Sequence, residues 1–192
     1  MIANQPEHRL RLAPIDRPRS WLVRLFNWLT RRQFGKAIMP ARVIYARFPT
    51  LLWRMLPMYH LFDRGLSLEP ALRHAIEVRV SVLHGCTFCE DVHRAVGRRE
   101  RVPDEKLAPG ASSTDACFDA RERAALAYVE AIAGGMVSDE IFGALRACFE
   151  EREIIEITWL QAFTTYLNRL AVPLGIGSDG LCELATARPV AH

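Results

Sequence analysis

Within Cys86-Thr87-Phe88-Cys89-Glu90-Asp91-Val92-His93, two cysteines are separated by two residues and a histidine follows the second by four. On a helix Cys86 and Cys89 are neighbours at i, i+3, and Cys89 and His93 are neighbours at i, i+4. One face then carries two thiols and a titratable base. A thiol attacks as its thiolate. Gly85 predicts a break in the preceding helix, so that Cys86 opens a new one, where unpaired amides favour the anion. His93, one turn from Cys89, can take a proton. A thiolate oxidised to sulfenic acid has a resolving sulfur beside it, so peroxide reduction and thiol–disulfide exchange both follow. Other readings compete. Cys86, Cys89 and His93, completed by His74 or His84, could hold zinc, although no second Cys-x-x-Cys supplies ligands. A thioredoxin-like motif would sit on a βαβ pattern, which is absent. Two core cysteines beside a satisfied histidine is the blandest reading.

The elements that must position this face read as helices. From Ser67, which can cap, a helix carries Leu72, Ile76, Val80 and Leu83 as an apolar stripe as far as His84-Gly85. A second helix is predicted from Cys86 through His93 to about Gly97. Residues 101–118, rich in Pro, Gly, Ser and Thr, form a loop. Helical periodicity returns from Asp119 to Ile132, Ser138 caps a third stretch facing Phe142, Leu145 and Phe149 inward, and Glu151 to Ala171 is a long helix closed by Pro173. Ahead of the site, Pro40, Pro49 and Pro57 divide short helical pieces. Trp21 to Arg32 is amphipathic, and its apolar residues are expected to pack on the protein's own core, with docking on another subunit as the alternative. Residues 1–19 read as an extended tail. No strand pattern longer than a few residues appears, so the fold class is all-α.

The 192 residues suffice for one domain, with 25 Lys and Arg against 22 Asp and Glu. A net charge of +3 is too small to argue for nucleic acid. The excess gathers in residues 1–54, where eleven basic residues meet only Glu7 and Asp16; a solvated face is the simplest account. No apolar run reaches the roughly 18 residues of a membrane span. With no secretory leader and five cysteines, an odd number, the expectation is reduced thiols in the cytoplasm, with one special pair. No Gly-x-Gly-x-x-Gly or phosphate loop is present, so no bound cofactor or metal is expected.

The stretch Val80-Ser81-Val82-Leu83-His84-Gly85-Cys86-Thr87-Phe88-Cys89, with His93, resembles the signature of the AhpD-like alkylhydroperoxidase and carboxymuconolactone decarboxylase superfamily. Residues 119–128, 138–142 and 151–158 look like the following helices, and Asn168-Arg169-Leu170 like the closing motif. The resemblance covers roughly residues 40–175, leaving 1–39 as a basic N-terminal extension and 176–192 as a C-terminal tail. It implies a single-domain helical bundle that assembles as a homo-oligomer (dimer, trimer or hexamer). It also implies a thiol-dependent hydroperoxide reductase in which Cys89 attacks the peroxide, Cys86 resolves it as a disulfide, and a separate dithiol donor restores the thiols. His93 belongs, by the same resemblance, to a proton relay with a glutamate twelve residues before the first cysteine. Here that position is His74, and Glu77, one turn on, is the candidate substitute if it points inward. His84 replaces the family's asparagine. The alternatives are a carboxymuconolactone decarboxylase-like lyase, against which the cysteine pair counts, and a non-catalytic redox-sensing oligomer.

Overall fold

The computed structural model describes residues 9–187. Among them the chain forms eight α-helices and no strand: α1 (Trp21–Phe34), α2 (Pro49–Arg64), α3 (Pro70–Leu83), α4 (Thr87–Arg99), α5 (Ala120–Ala133), α6 (Asp139–Arg146), α7 (Glu151–Ala171) and α8 (Leu181–Ala187). A π-helical turn (Ala41–Tyr45) precedes α2, and a 3₁₀ turn (Val172–Leu174) follows α7. The all-α expectation holds.

Local chemistry sets the boundaries. Asp119 accepts from Glu122 N at 2.8 Å while the Glu122 carboxylate accepts from Asp119 N at 3.0 Å, a capping box that starts α5. Ser138 Oγ accepts from Ile141 N at the head of α6. Pro70 occupies the first turn of α3, where its missing N–H costs nothing. Ser67 does not cap this helix as expected. Its N–H and hydroxyl both donate to Glu156 Oε2, at 2.7 and 2.8 Å, tying the α2–α3 connection to α7. Pro57 does not divide α2 either, which runs continuously from Pro49 to Arg64.

The helix at the centre is α3, packed against α4, α5 and α7. It is buried nearly all round, as a helix enclosed by others must be. Leu72, Ile76 and Val80 join Ala125, Leu126, Val129, Leu145, Ile157 and Leu160 in the main core. A second apolar cluster holds Phe34, Cys86, Phe88, Cys89, Ile176, Leu181 and Cys182. That cluster includes the segment after residue 175, so up to Ala187 it is part of the body rather than a tail. The N-terminal extension is also held down: Arg11 N donates to Leu174 O and Ile15 N to Arg42 O, both at 3.0 Å. Residues 1–8 and 188–192 of the two expected tails lie outside the described residues.

The expected packing of α1 is corrected. Val23, Asn27, Thr30 and Phe34 are its buried residues, whereas Trp21, Leu25, Trp28 and Leu29 are exposed, Trp21 by 66% and Trp28 by 53%. Val23 seats against Ala41, Tyr45 and Leu52, and this contact sets the rotation of the helix. Phe142, expected inward, is 38% exposed, while Leu145 and Phe149 are buried.

Candidate active site

The cysteine pair is placed by the end of α3. Gly85 has φ +67°, and its N–H donates to Val82 O while Cys86 N donates to Ser81 O, at 3.0 and 2.9 Å. This is a Schellman closure, which needs a left-handed residue at the Gly85 position. It turns the chain so that Cys86 becomes the N-cap of α4. Cys86 Sγ accepts from Cys89 N at 3.3 Å, and the two cysteines are joined as a disulfide with Cα atoms 5.3 Å apart. The break and the new helix fall where the sequence predicted them. Both sulfur residues are buried, at 1% and 3% exposure.

A polar stripe on α3 faces the same region. His74, Glu77 and Ser81 are spaced i, i+3 and i+7, and all are buried in a helix whose other faces are largely apolar. Glu77 Oε2 lies 2.7 Å from His74 Nδ1 and 3.0 Å from His93 Nδ1. His74 Nε2 lies 3.1 Å from Glu100 Oε2, which also accepts from Arg73 Nη2 at 2.9 Å. Glu77 is thus not a solvated helix residue: it is 1% exposed and stands between the two histidines.

Burial alone would raise the Glu77 pKa, but the charge and hydrogen bonds of His93 and His74 outweigh it and hold the carboxyl at about 2. Burial likewise pushes His74 toward neutrality, but hydrogen bonding and attraction to Glu77, with Glu100 adding to it, raise its pKa overall. A carboxylate offers only lone pairs, so each histidine Nδ1 facing Glu77 carries its proton. His74, with a carboxylate at either nitrogen, is held as the imidazolium. His93 has Nε2 left over, the nitrogen that can accept or deliver a proton.

Cys89, His93, Glu77 and His74 all line one cavity of about 350 Å³, and Cys86 does not. The structure therefore brings together four of the five residues singled out from sequence around one space, with the fifth bonded to Cys89 behind it. His84 is elsewhere engaged, its Nε2 lying 2.9 Å from Thr165 Oγ1, so it is not a ligand beside the cysteines. Among the described residues no group of three or more His, Cys, Asp and Glu side chains is arranged to hold a metal ion.

Sequence reasoning missed the aromatic wall, in which Phe26, Phe34 and Tyr45 arrive from α1 and the π-helical turn, and Tyr59 and Phe62 from α2. The Phe62 ring lies 5.7 Å from that of His93. It also missed Asp91, two residues past Cys89. The Asp91 carboxylate accepts from Ser178 Oγ and from the amides of Asp179, Leu181 and Cys182, at 2.8–3.0 Å, and so docks the start of α8 onto α4. The only sequence signal for either was an apolar or acidic residue near a helix, which is no signal of position.

A model of the carboxymuconolactone decarboxylase family matches residues 49–131. The uncharacterized protein YnjA of Escherichia coli K12 is 28% identical over 165 residues, covering 84% of this chain and 90% of that protein. Among solved structures, a protein of unknown function from Agrobacterium tumefaciens, provisionally described as the antioxidant defence protein AhpD, superposes with a TM-score of 0.65 at 26% identity, over 72% of this chain and 97% of the other. The debrominase Bmp8 superposes with a TM-score of 0.78 at 19% identity, over 93% and 97% of the two chains, a likeness of fold.

Proposed function

Because the chain belongs to the AhpD-like and carboxymuconolactone decarboxylase superfamily, we propose that it is a thiol-dependent hydroperoxide reductase, with Cys89 as the attacking sulfur and Cys86 as the resolving one. The observation that carries this reading is the asymmetry of the pair: Cys89 lines the cavity with His93, Glu77 and His74, and Cys86 does not.

The dithiol form would react as follows. His93 Nε2 takes the Cys89 proton, and the thiolate attacks one oxygen of the hydroperoxide. The S–O bond forms as the O–O bond breaks, the sulfur is oxidised to sulfenic acid, and the alcohol leaves with the proton returned by His93. Cys86 then attacks the Cys89 sulfur, forming the disulfide and releasing water. An external dithiol reduces the disulfide and closes the cycle. Glu77 and His74 act through His93: the Glu77 carboxylate fixes the Nδ1–H tautomer, and the His74 imidazolium keeps Glu77 ionised. The family's relay glutamate has moved one turn along α3, and His74 at the vacated position serves it.

The test is thiol titration with and without one equivalent of cumene hydroperoxide on the reduced wild type, Cys86→Ser and Cys89→Ser. The expected result is loss of two thiols in the wild type and a sulfenic acid trapped by dimedone in Cys86→Ser alone. An unchanged thiol count in the wild type would overturn the peroxidase reading.

A further inference from the structure

The cavity beside Cys89 is more aromatic than reduction of hydrogen peroxide requires. Six aromatic side chains line it: Phe26, Phe34, Tyr45, Tyr59, Phe62 and Phe88. Three of these come from residues 26–45, ahead of the stretch matched by the family model. There α1 presents Phe26 and Phe34, and the π-helical turn, closed by Ala46 N on Ala41 O at 3.0 Å, presents Tyr45. The wall is rigid. Phe26 meets Tyr45 edge to face at 5.9 Å, and the Tyr45 and Tyr59 hydroxyls are bonded to each other at 2.5 Å. A volume of about 350 Å³ lies at the small end of ligand pockets.

We infer that this cavity is the binding site for a hydroperoxide carrying one aromatic ring, held against the wall formed by Phe26, Tyr45, Tyr59 and Phe62 while its peroxide group meets Cys89. Rings prefer edge-to-face and offset contacts with other rings, and a wall of six gives a ring more such contacts than an unbranched alkyl chain. Charges of both signs line it, Glu77 and Glu100 against Arg64, Arg73 and His74, with Arg73 paired to Glu100 at 2.9 Å, so the lining sets no sign for the substrate. The Tyr45 phenol stays protonated, since burial raises its pKa, so that end of the cavity carries no charge.

This inference rests on the peroxidase reading for its chemistry, and the experiment separates the two. With dithiothreitol as reductant, kcat/KM is measured for cumene hydroperoxide and for hydrogen peroxide in the wild type, in Phe26→Ala and in the cavity-filling Phe26→Trp. Binding of 2-phenyl-2-propanol, the alcohol product, to the oxidised proteins is followed by saturation-transfer NMR. The expected result is a cumene-to-hydrogen-peroxide ratio that falls about tenfold in both variants, with alcohol binding weakened in parallel. Equal constants for the two peroxides in the wild type, or a ratio unmoved by both substitutions, would overturn the pocket assignment while leaving the peroxidase reading intact. No turnover of either peroxide, with alcohol binding that Phe26→Trp abolishes, would overturn the peroxidase reading and uphold the pocket. Absence of alcohol binding to the wild type would overturn the pocket outright.

Discussion

His93 on α4 and Glu77 on α3 meet with Nδ1 and Oε2 3.0 Å apart, joining the helix that carries Cys89 to the helix that carries a buried carboxylate. Neither residue stands alone. The carboxylate is also shared with His74 at 2.7 Å, so one buried anion faces two imidazoles in a space walled by aromatic rings. A buried carboxylate is costly unless paired and hydrogen-bonded, and here His74 and His93 meet both conditions.

Replacing Glu77 by Gln keeps the shape of the side chain and removes its charge. An amide can also turn its NH₂ toward His93, which selects the other tautomer and puts the proton on the wrong nitrogen. Peroxide-dependent turnover is expected to fall about 10²- to 10⁴-fold, the usual scale for losing general acid–base assistance. A pH profile of kcat/KM separates this from a structural defect: loss of the Glu77 carboxylate should change the shape of the profile, whereas mere loosening would lower the whole profile without shifting it.

The charge relay also gives the fold a pH dependence on both sides. Glu77 is held at about 2, below its ordinary 4.5, so its stabilising contribution is present above 4.5 and is lost as pH falls through the folded value. His74 has its pKa raised above 6.5, so its contribution is complete below 6.5 and is lost as pH climbs through the folded value. Urea midpoints measured across this range should fall more steeply on the acid side in the wild type than in Glu77→Gln. His74→Gln should flatten the alkaline side. Parallel curves for all three proteins would contradict the arrangement.

Much of this was legible in the sequence for identifiable reasons. The boundaries of α5, α6 and α7 are set by caps within four residues, and the Cys86, Cys89 and His93 face by helical spacing, both local. Glu77 was not legible, because a carboxylate on a helix defaults to solvent and only the packing of α4 against α3 turns this one inward. The rotation of α1 failed for another reason. Its apolar residues spread around much of the helix, so periodicity could not say whether Val23 or Trp21 faces the core. The aromatic wall assembles from α1, the π-helical turn and α2 around residues far along the chain, and no linear pattern marks a cavity.

Gly85→Ala tests the turn that seats Cys86. A Cβ on Gly85 would have no atom within 4 Å, so any cost comes from the backbone at φ +67° and not from crowding. The expected loss is about 1 kcal/mol in urea unfolding, with Gly85→Asn losing less because asparagine tolerates the left-handed region better. A loss as large for asparagine as for alanine would mean that the side chain, not the conformation, is at fault.

Asp91→Ala tests what holds the last helix. The carboxylate receives a hydroxyl and three backbone amides from residues 178–182, and hydrogen bonds to a charged group contribute about 1.5–3 kcal/mol each, net of the exchange with water. Removing it leaves those amides without their acceptor and frees α8 from α4. Cys182 is the readout, since it is buried in the same apolar cluster as the Cys86–Cys89 disulfide while Cys117 and Cys148 are partly accessible. In the wild type a thiol reagent should label Cys117 and Cys148 readily and Cys182 slowly. In Asp91→Ala the Cys182 rate should rise at least about tenfold, which corresponds to some 1.4 kcal/mol of easier local opening. Asp91→Asn should fall between the two, because the amide oxygen still accepts but carries no charge. If Cys182 labels no faster in Asp91→Ala, the apolar contacts of Ile176 and Leu181 hold the helix without the carboxylate.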